Sequence, residues 1–376
     1  MAKAAPGAHL PVLVFRGGHA AFGRAMGERQ RSQIQGVVAV ALTGFREQGI
    51  GEDDLRAQNA PYLEAAARVY PRYLAELEAM AHGAEVPFEV LFRLNCYEAR
   101  PPGTPIVPPP PAPPVPTKDP SVLPVANDPA AVASGPADGC TSVASRGTDG
   151  VVVGHTEDST PQAIEGLYLV DATVEESDGG RPGGRFLALN YAQTLPGCAA
   201  AVNRHGLIVL IDALPDPDRR LGAPRHFVSR ALLDQPDIES AIDHLRQTER
   251  GGGWNYLLVQ GDRIVNAEAT ATRLSVREAG PSGAYAHANH YLDPDLAADA
   301  GAPRPNSISR LNRALELVSP GMDVTRMKAL LGDRQHFPDS ICRDRTIGAF
   351  VADTARRRVD VCWGEPDGAA WESFSF

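Results

Sequence analysis

Long apolar runs, concentrated positive charge and closely spaced cysteines are all scarce in this sequence, and each shortage removes a class of function. No stretch reaches the roughly 18 apolar residues that a bilayer crossing requires. The first residues, MAKAAPGAHLPVLVF, hold one lysine and no continuous apolar run before their prolines, so no secretory leader is expected and the protein is read as cytoplasmic. The formal net charge is −10 and no Lys/Arg block interrupts it, which argues against nucleic acid or an anionic membrane as partner. The five cysteines (Cys96, Cys140, Cys198, Cys342, Cys362) form no C-x-x-C pair, which disfavours a disulfide framework and a structural zinc site. A dispersed, odd set leaves room for one reactive thiol among buried ones.

What is present is a sizeable globular core, with 43% hydrophobic residues over 376 positions and no internal repeat. Apolar side chains recur at helical spacing over 20–48 and 61–82, and a short helix is expected from Phe88 to Tyr97. Residues 101–136 then hold 14 of the 33 prolines, which predicts an extended connector. From Thr141 the pattern becomes strand-like: TSVASR, VVVGHTE, GLYLVDATV, RFLALNYA, CAAAVN and GLIVLIDAL. Helices are expected at 224–234, 237–249, 306–318 and 323–331, and further strands at 254–260, 263–269, 347–353 and 358–362. Grouped rather than alternating elements predict an α+β fold with a largely antiparallel sheet. Three parts follow: a helical segment 1–100, a Pro-rich linker 101–139 and a catalytic part 140–376.

Within TSVASRGTDGVVVGHTED, Asp149-Gly150 is a strong turn dipeptide between two apolar runs. A hairpin centred on position 149 brings Cys140 and Asp158 within about 5–8 Å. Cutting the Gly139–Cys140 bond would give Cys140 a free α-amino group of pKa about 8 beside its thiol. The residue would then carry its own general base, the N-terminal form of nucleophile-plus-base catalysis. The thiol can make that cut itself by attacking the Gly139 carbonyl, which glycine leaves accessible. The competing reading makes Cys140 a small buried hydrophobe and Asp158 a turn residue.

Several ordered motifs carry a family resemblance: GGHAAFGRAMGER, YPRYLAELEAMAHGAEVPFEVLFRLNCYE, DGCTS with an aspartate 18 residues after the cysteine, LPGCAAAVNRHGL, WNYLLV…NAEAT, HANHYL, NSISRLNR and ICRD. In these the sequence resembles the isopenicillin-N acyltransferase family of autoproteolytic N-terminal-nucleophile cysteine hydrolases. The resemblance implies a four-layer αββα sandwich, with the N-terminal helices kept as a noncovalent chain after cleavage. It implies Cys140 as nucleophile and cleavage residue, Asp158 as the group orienting its amine, Asn289 as an oxyanion donor and Arg310 as a nearby cation. It further implies an acyl-thioester passed to water or a small amine, a small-molecule amide or acyl donor as substrate, and no cofactor, with acyl-CoA admitted as co-substrate. Two positions depart from relatives: His155 stands where the related bile-salt hydrolases have arginine, and Asp212 where relatives often have asparagine. Asp212 points to an amine-bearing substrate or to a solvated strand end.

Two other readings stay open. His287 and His290 around Asn289 would be half of a metal site for an amidohydrolase, or polar packing; His287 is also a pocket candidate, as is Tyr191. Tyr191 and Trp254 line a pocket or fill the core. PIVPPPPAPPVP contains P-x-x-P spacing, which would suit a non-catalytic interaction protein, or is a linker.

Overall fold

The computed structural model describes residues 9–99, 139–175, 184–280 and 282–376. The proposed linker therefore lies outside the described residues, apart from Gly139. An N-terminal strand β1 (Val12–Gly18) leads into five helices, α1 (His19–Arg29), α2 (Arg31–Glu47), α3 (Glu52–Val69), α4 (Pro71–Ala84) and α5 (Phe88–Leu94). The two long helices expected here are each divided. One breaks at Gln30, and the other is α3 and α4 separated at Tyr70, where Pro71 takes the first-turn position that needs no N–H partner. The α1 and α4 backbones pack so closely that a Cβ at Gly23 would collide with the Glu76 carbonyl and one at Gly27 with the Met80 carbonyl.

After Cys140 come β2 (Thr141–Arg146), β3 (Val151–Asp158), β4 (Leu167–Glu175), β5 (Gly184–Tyr191), β6 (Ala200–Asn203) and β7 (Ile208–Asp212). Two helices follow, α6 (Arg225–Leu232) and α7 (Ile238–Gln247), then β8 (Asn255–Gln260), β9 (Arg263–Ala269), β10 (Leu274–Glu278) and β11 (Ala284–His287). The chain ends with α8 (Pro294–Ala300), α9 (Pro305–Leu317), α10 (Val324–Leu331), β12 (Thr346–Asp353), β13 (Arg358–Trp363) and β14 (Trp371–Ser375). The strands form an eight-stranded sheet, β1-β4-β5-β6-β7-β8-β9-β10, and a six-stranded sheet, β11-β2-β3-β12-β13-β14. Every pairing is antiparallel except that of β1 with β4.

Strand alternation sorts side chains into three cores. Leu167 and Leu169 of β4 face β2, β3 and β12 across the inter-sheet layer, joining Ala144, Val153 and Phe350. Their neighbours Tyr168 and Val170 face outward onto Phe22, Met26, Tyr73 and Met80 of the N-terminal helices and Phe227 of α6. On the other side, Val143 and Val351 of the small sheet meet Leu311 of α9 and Met327 and Leu331 of α10. The result is the expected α+β, four-layer αββα sandwich.

The N-terminal region is built into this sandwich. Glu76 of α4 and Arg230 of α6, both fully buried, form a two-point ion pair at 3.0 and 2.9 Å, and Asn95 brackets the β5–β6 loop through Gln193 O and Leu195 N. No described helix is long and apolar enough to cross a membrane.

Candidate active site

The hairpin that carries Cys140 pairs Thr141 with Thr156, Ser142 with His155 and Arg146 with Val151. Its loop is residues 147–150, closed by a 2.8 Å bond from Gly147 N to Gly150 O. The pairing is thus centred between 148 and 149 rather than on 149, and this half-residue difference decides which carboxylate meets the thiol. Facing residues share a side of the sheet, so Cys140 lies opposite Glu157 and their side chains project into the inter-sheet layer with Ser142 and His155. The Asp158 side chain takes the other face. There its carboxylate accepts from Arg343 Nε at 2.7 Å and from Thr346 Oγ1 at 2.6 Å.

At this end of the sandwich the inter-sheet layer changes from hydrocarbon to a hydrogen-bonded polar network. The Cys140 thiol lies 3.6 Å from Glu157 Oε1, which also accepts from Tyr191 Oη at 2.7 Å. Glu157 Oε2 is 2.9 Å from His155 Nε2, and His155 Nδ1 is 3.0 Å from Ser142 Oγ. Ser142 donates across to Asp212 Oδ1 of the large sheet at 3.0 Å, and Asn255 Nδ2 donates to Asp212 Oδ2 at 3.0 Å. His287 lies 3.3 Å from Asp212 and 2.9 Å from Glu268. Glu268 in turn accepts the backbone N–H groups of Leu292 and Asp293 at 2.6 and 2.8 Å.

Burial would depress His287, but its two carboxylate neighbours outweigh that and hold it at about 9, so it is an imidazolium at neutral pH. For Asp212, burial pushes upward and is overcome by His287, His155 and Asn255, leaving the group ionised below its ordinary value. His155 is raised in the same way: Glu157 and Asp212 outweigh its desolvation. Burial first, then the charges of Glu157, Asp212 and Asp158, drive the Cys140 thiol well above its ordinary value; the Asp158 backbone N–H opposes them.

Gly139 and the Cys140 carbonyl sit against a second group. Arg310 of α9 is fully buried; its Nη1 donates to Cys140 O and, at 2.9 Å, to Thr141 Oγ1, and its Nη2 donates to Asn289 Oδ1 at 2.6 Å. Guanidinium only donates, which fixes the Asn289 amide with its oxygen towards Arg310 and its nitrogen outward. Nδ2 donates to Ala213 O at 3.0 Å, its one partner among the described residues. A Cβ on Gly139 would overlap both Arg310 Nη2 and Asn289 Oδ1. Burial lowers Arg310 against the opposing charge of Asp158, and among the described residues its Nε has no hydrogen-bond partner.

Cys140, His155, Tyr191, Asp212 and His287 are therefore joined in one network, while Gly139, Asn289 and Arg310 converge on the peptide next to the thiol. Asp212 is fully buried and not a solvated strand end. His290 turns away to Ser307 Oγ at 2.7 Å, so the two histidines do not share an open ligand position. Potential ligand atoms within 4.8 Å of one another are found instead on Cys140, His155 and Glu157. Trp254 packs on the helical side against His226, at 4.9 Å between ring centroids. Sequence reading passed over Glu157, Ser142, Asn255 and Glu268. A usable signal existed for the first: in VVVGHTED, His155 and Glu157 fall on the same face as Val151 and Val153, placing ionisable groups on a core-facing register.

Residues 145–368, more than half of the chain, match the profile of acyl-coenzyme A:6-aminopenicillanic acid acyl-transferase. The chain belongs to this family. Its members are acyl-transfer enzymes, and the resemblance carried by the ordered motifs is borne out. A β-alanyl-dopamine/carcinine hydrolase of Drosophila melanogaster is 26% identical over 396 residues, spanning 95% of this chain and 93% of its own. Penicillin V acylase from Agrobacterium tumefaciens superposes with a TM-score of 0.40 at 12% identity, covering 60% of this chain and 82% of the acylase. A conjugated bile acid hydrolase from Clostridium perfringens gives 0.35 at 10% identity, with 63% and 97% covered.

Proposed function

We propose that this family member is a self-processing amide hydrolase whose precursor cleaves at Gly139–Cys140 and whose new N-terminal Cys140 carries the acyl group as a thioester. The observation that carries this reading is the seating of that one peptide. Its glycine has no room for a side chain beside Arg310 and Asn289, Arg310 holds the carbonyl of Cys140 in the following peptide, and the thiol is already in the polar network. After cleavage the Cys140 α-amine takes and returns the thiol proton during acyl transfer, Asn289 donates its remaining N–H to the tetrahedral oxyanion, and Asp158 orients the amine.

For substrate we propose amides of β-alanine or a similar short aminoacyl group with a small amine, the class in the name of the Drosophila relative. Hydrolysis is favoured over transfer to a second amine on the same relative. Intact mass of purified protein tests the first half: the wild type yields two pieces meeting at Gly139/Cys140 and Cys140→Ala stays whole, and a cut C140A chain would refute self-processing. Release of β-alanine from β-alanyl amides, absent with plain acetyl amides, tests the second.

A further inference from the structure

Self-cleavage raises a difficulty that turnover does not. Before the cut, the Cys140 nitrogen is a peptide nitrogen with no basicity, so the base used by the mature enzyme does not yet exist. Burial and three carboxylates also keep the thiol protonated at neutral pH. A separate proton acceptor has to be built into the precursor.

The hydrogen bonds around the thiol point to one. Asp212 is an ionised acceptor, so the single Ser142 hydroxyl hydrogen is spent on Asp212 Oδ1. Ser142 Oγ must then accept from His155, which places a hydrogen on Nδ1. The 2.9 Å contact between His155 Nε2 and Glu157 Oε2 contains one further proton. An imidazole is ordinarily the stronger base of such a pair, so that proton rides on the ring and Glu157 accepts through both oxygens, from His155 at Oε2 and from Tyr191 at Oε1. Tyr191, kept as a phenol by burial, donates to Glu157 Oε1, the same oxygen that the Cys140 thiol approaches at 3.6 Å. Among the described residues no other carboxylate oxygen is within hydrogen-bonding distance of Sγ.

We infer that Glu157 is the catalytic base of the maturation step, held in place by His155 and Tyr191, and that the protein uses different bases for processing and for turnover. The inference rests on the self-cleavage reading above. Glu157 Oε1 takes the thiol proton as Sγ adds to the Gly139 carbonyl carbon. The tetrahedral adduct then breaks its C–N bond, and the proton passes from Glu157 to the departing Cys140 nitrogen. The products of this shift are a Gly139 thioester on Sγ and a free α-amine. Water hydrolyses the thioester to the Gly139 carboxylate and regenerates the thiol.

The test follows freshly synthesised full-length precursor by intact mass, with and without hydroxylamine, for wild type, C140A and E157Q. Glu157→Gln keeps the size of the side chain but exchanges one acceptor oxygen for an NH2 and cannot take a proton, and loss of a general base costs about 100-fold or more in rate. E157Q precursor is expected to persist correspondingly longer and to yield no Gly139 hydroxamate, because no thioester forms. E157Q cleaving at the wild-type rate while C140A stays whole overturns the assignment and leaves self-cleavage standing. A C140A chain that is cut overturns self-cleavage itself. Should E157Q not melt as C140A does, E157D is compared with E157N, of equal length but without the carboxylate. Faster cleavage in E157D supports the assignment and equal rates overturn it.

Discussion

Adding one methyl group at Gly139 should separate the precursor from the mature enzyme. In Gly139→Ala the new Cβ would overlap Arg310 Nη2 and Asn289 Oδ1, and the Arg310 side chain is fully buried. Moving the guanidinium weakens its bonds to the Cys140 carbonyl, Thr141 Oγ1 and Asn289 Oδ1. A hydrogen bond to a charged group is worth about 1.5–3 kcal/mol and overpacking a tight site costs about 1–3 kcal/mol, so partial loss of two bonds makes about 3 kcal/mol a reasonable figure. On the C140A background, which the proposed self-cleavage would leave uncut, this corresponds to a drop in Tm of roughly 4 °C for a chain of this length. In the cleavable chain the same energy, if it opposes seating of the scissile peptide, slows processing about 100-fold. The assay pairs thermal denaturation of G139A/C140A against C140A with a mass-spectrometric time course of G139A. Once cut, residue 139 belongs to the other fragment, so fully processed G139A should hydrolyse substrate at the wild-type kcat. An unchanged Tm together with unchanged processing would refute the argument from the crowded seat.

Two further predictions use the same network. His287 is raised from its ordinary 6.5 to about 9 in the folded protein. Its contribution is therefore complete below pH 6.5 and lost as pH climbs through about 9, on the order of 3 kcal/mol. Denaturant titrations of C140A at pH 6 and pH 9.5 should show this loss and H287Q/C140A should not; an equal loss in both would remove His287 as its source. Asn289→Ala takes away the proposed oxyanion donor and the acceptor of Arg310 Nη2, so kcat should fall about 100-fold or more with a smaller change in KM. Steady-state kinetics on a β-alanyl amide measure the split, and an unchanged kcat would exclude the donor role.

Most of the architecture was legible because it rests on periodicity. The strands from Thr141 to Asp212 and the helices over 225–247 and 305–331 announce themselves by alternation or helical spacing, and the layered α+β form follows. Strand β1 was missed, since a seven-residue edge strand gains its identity from a distant partner, β4, that local pattern does not reveal. The division of α1 from α2 was likewise hidden, because no proline or glycine marks Gln30. The site shows a subtler limit. A turn dipeptide locates a hairpin to within a residue, but side-chain alternation converts one residue into the opposite face. Centring on 149 paired Cys140 with Asp158; the four-residue loop pairs it with Glu157. Glu268 and Asn255 were out of reach for another reason: their partners, His287 and Asp212, lie on strands far away in sequence.

The way residues 9–99 are held has a consequence for what a single cut would do. Strand β1 hydrogen-bonds into the large sheet, Glu76 is locked to Arg230 in a dry interior, and the outer face of that sheet is roofed by α1 and α4. A backbone opened at Gly139 would not release a propeptide, since departure would strip hydrocarbon from an entire sheet face. It would instead turn a unimolecular folding equilibrium into an association of two unlike pieces. Unfolding would then depend on protein concentration, and the nicked protein, once denatured and diluted, would have to find its own other half again.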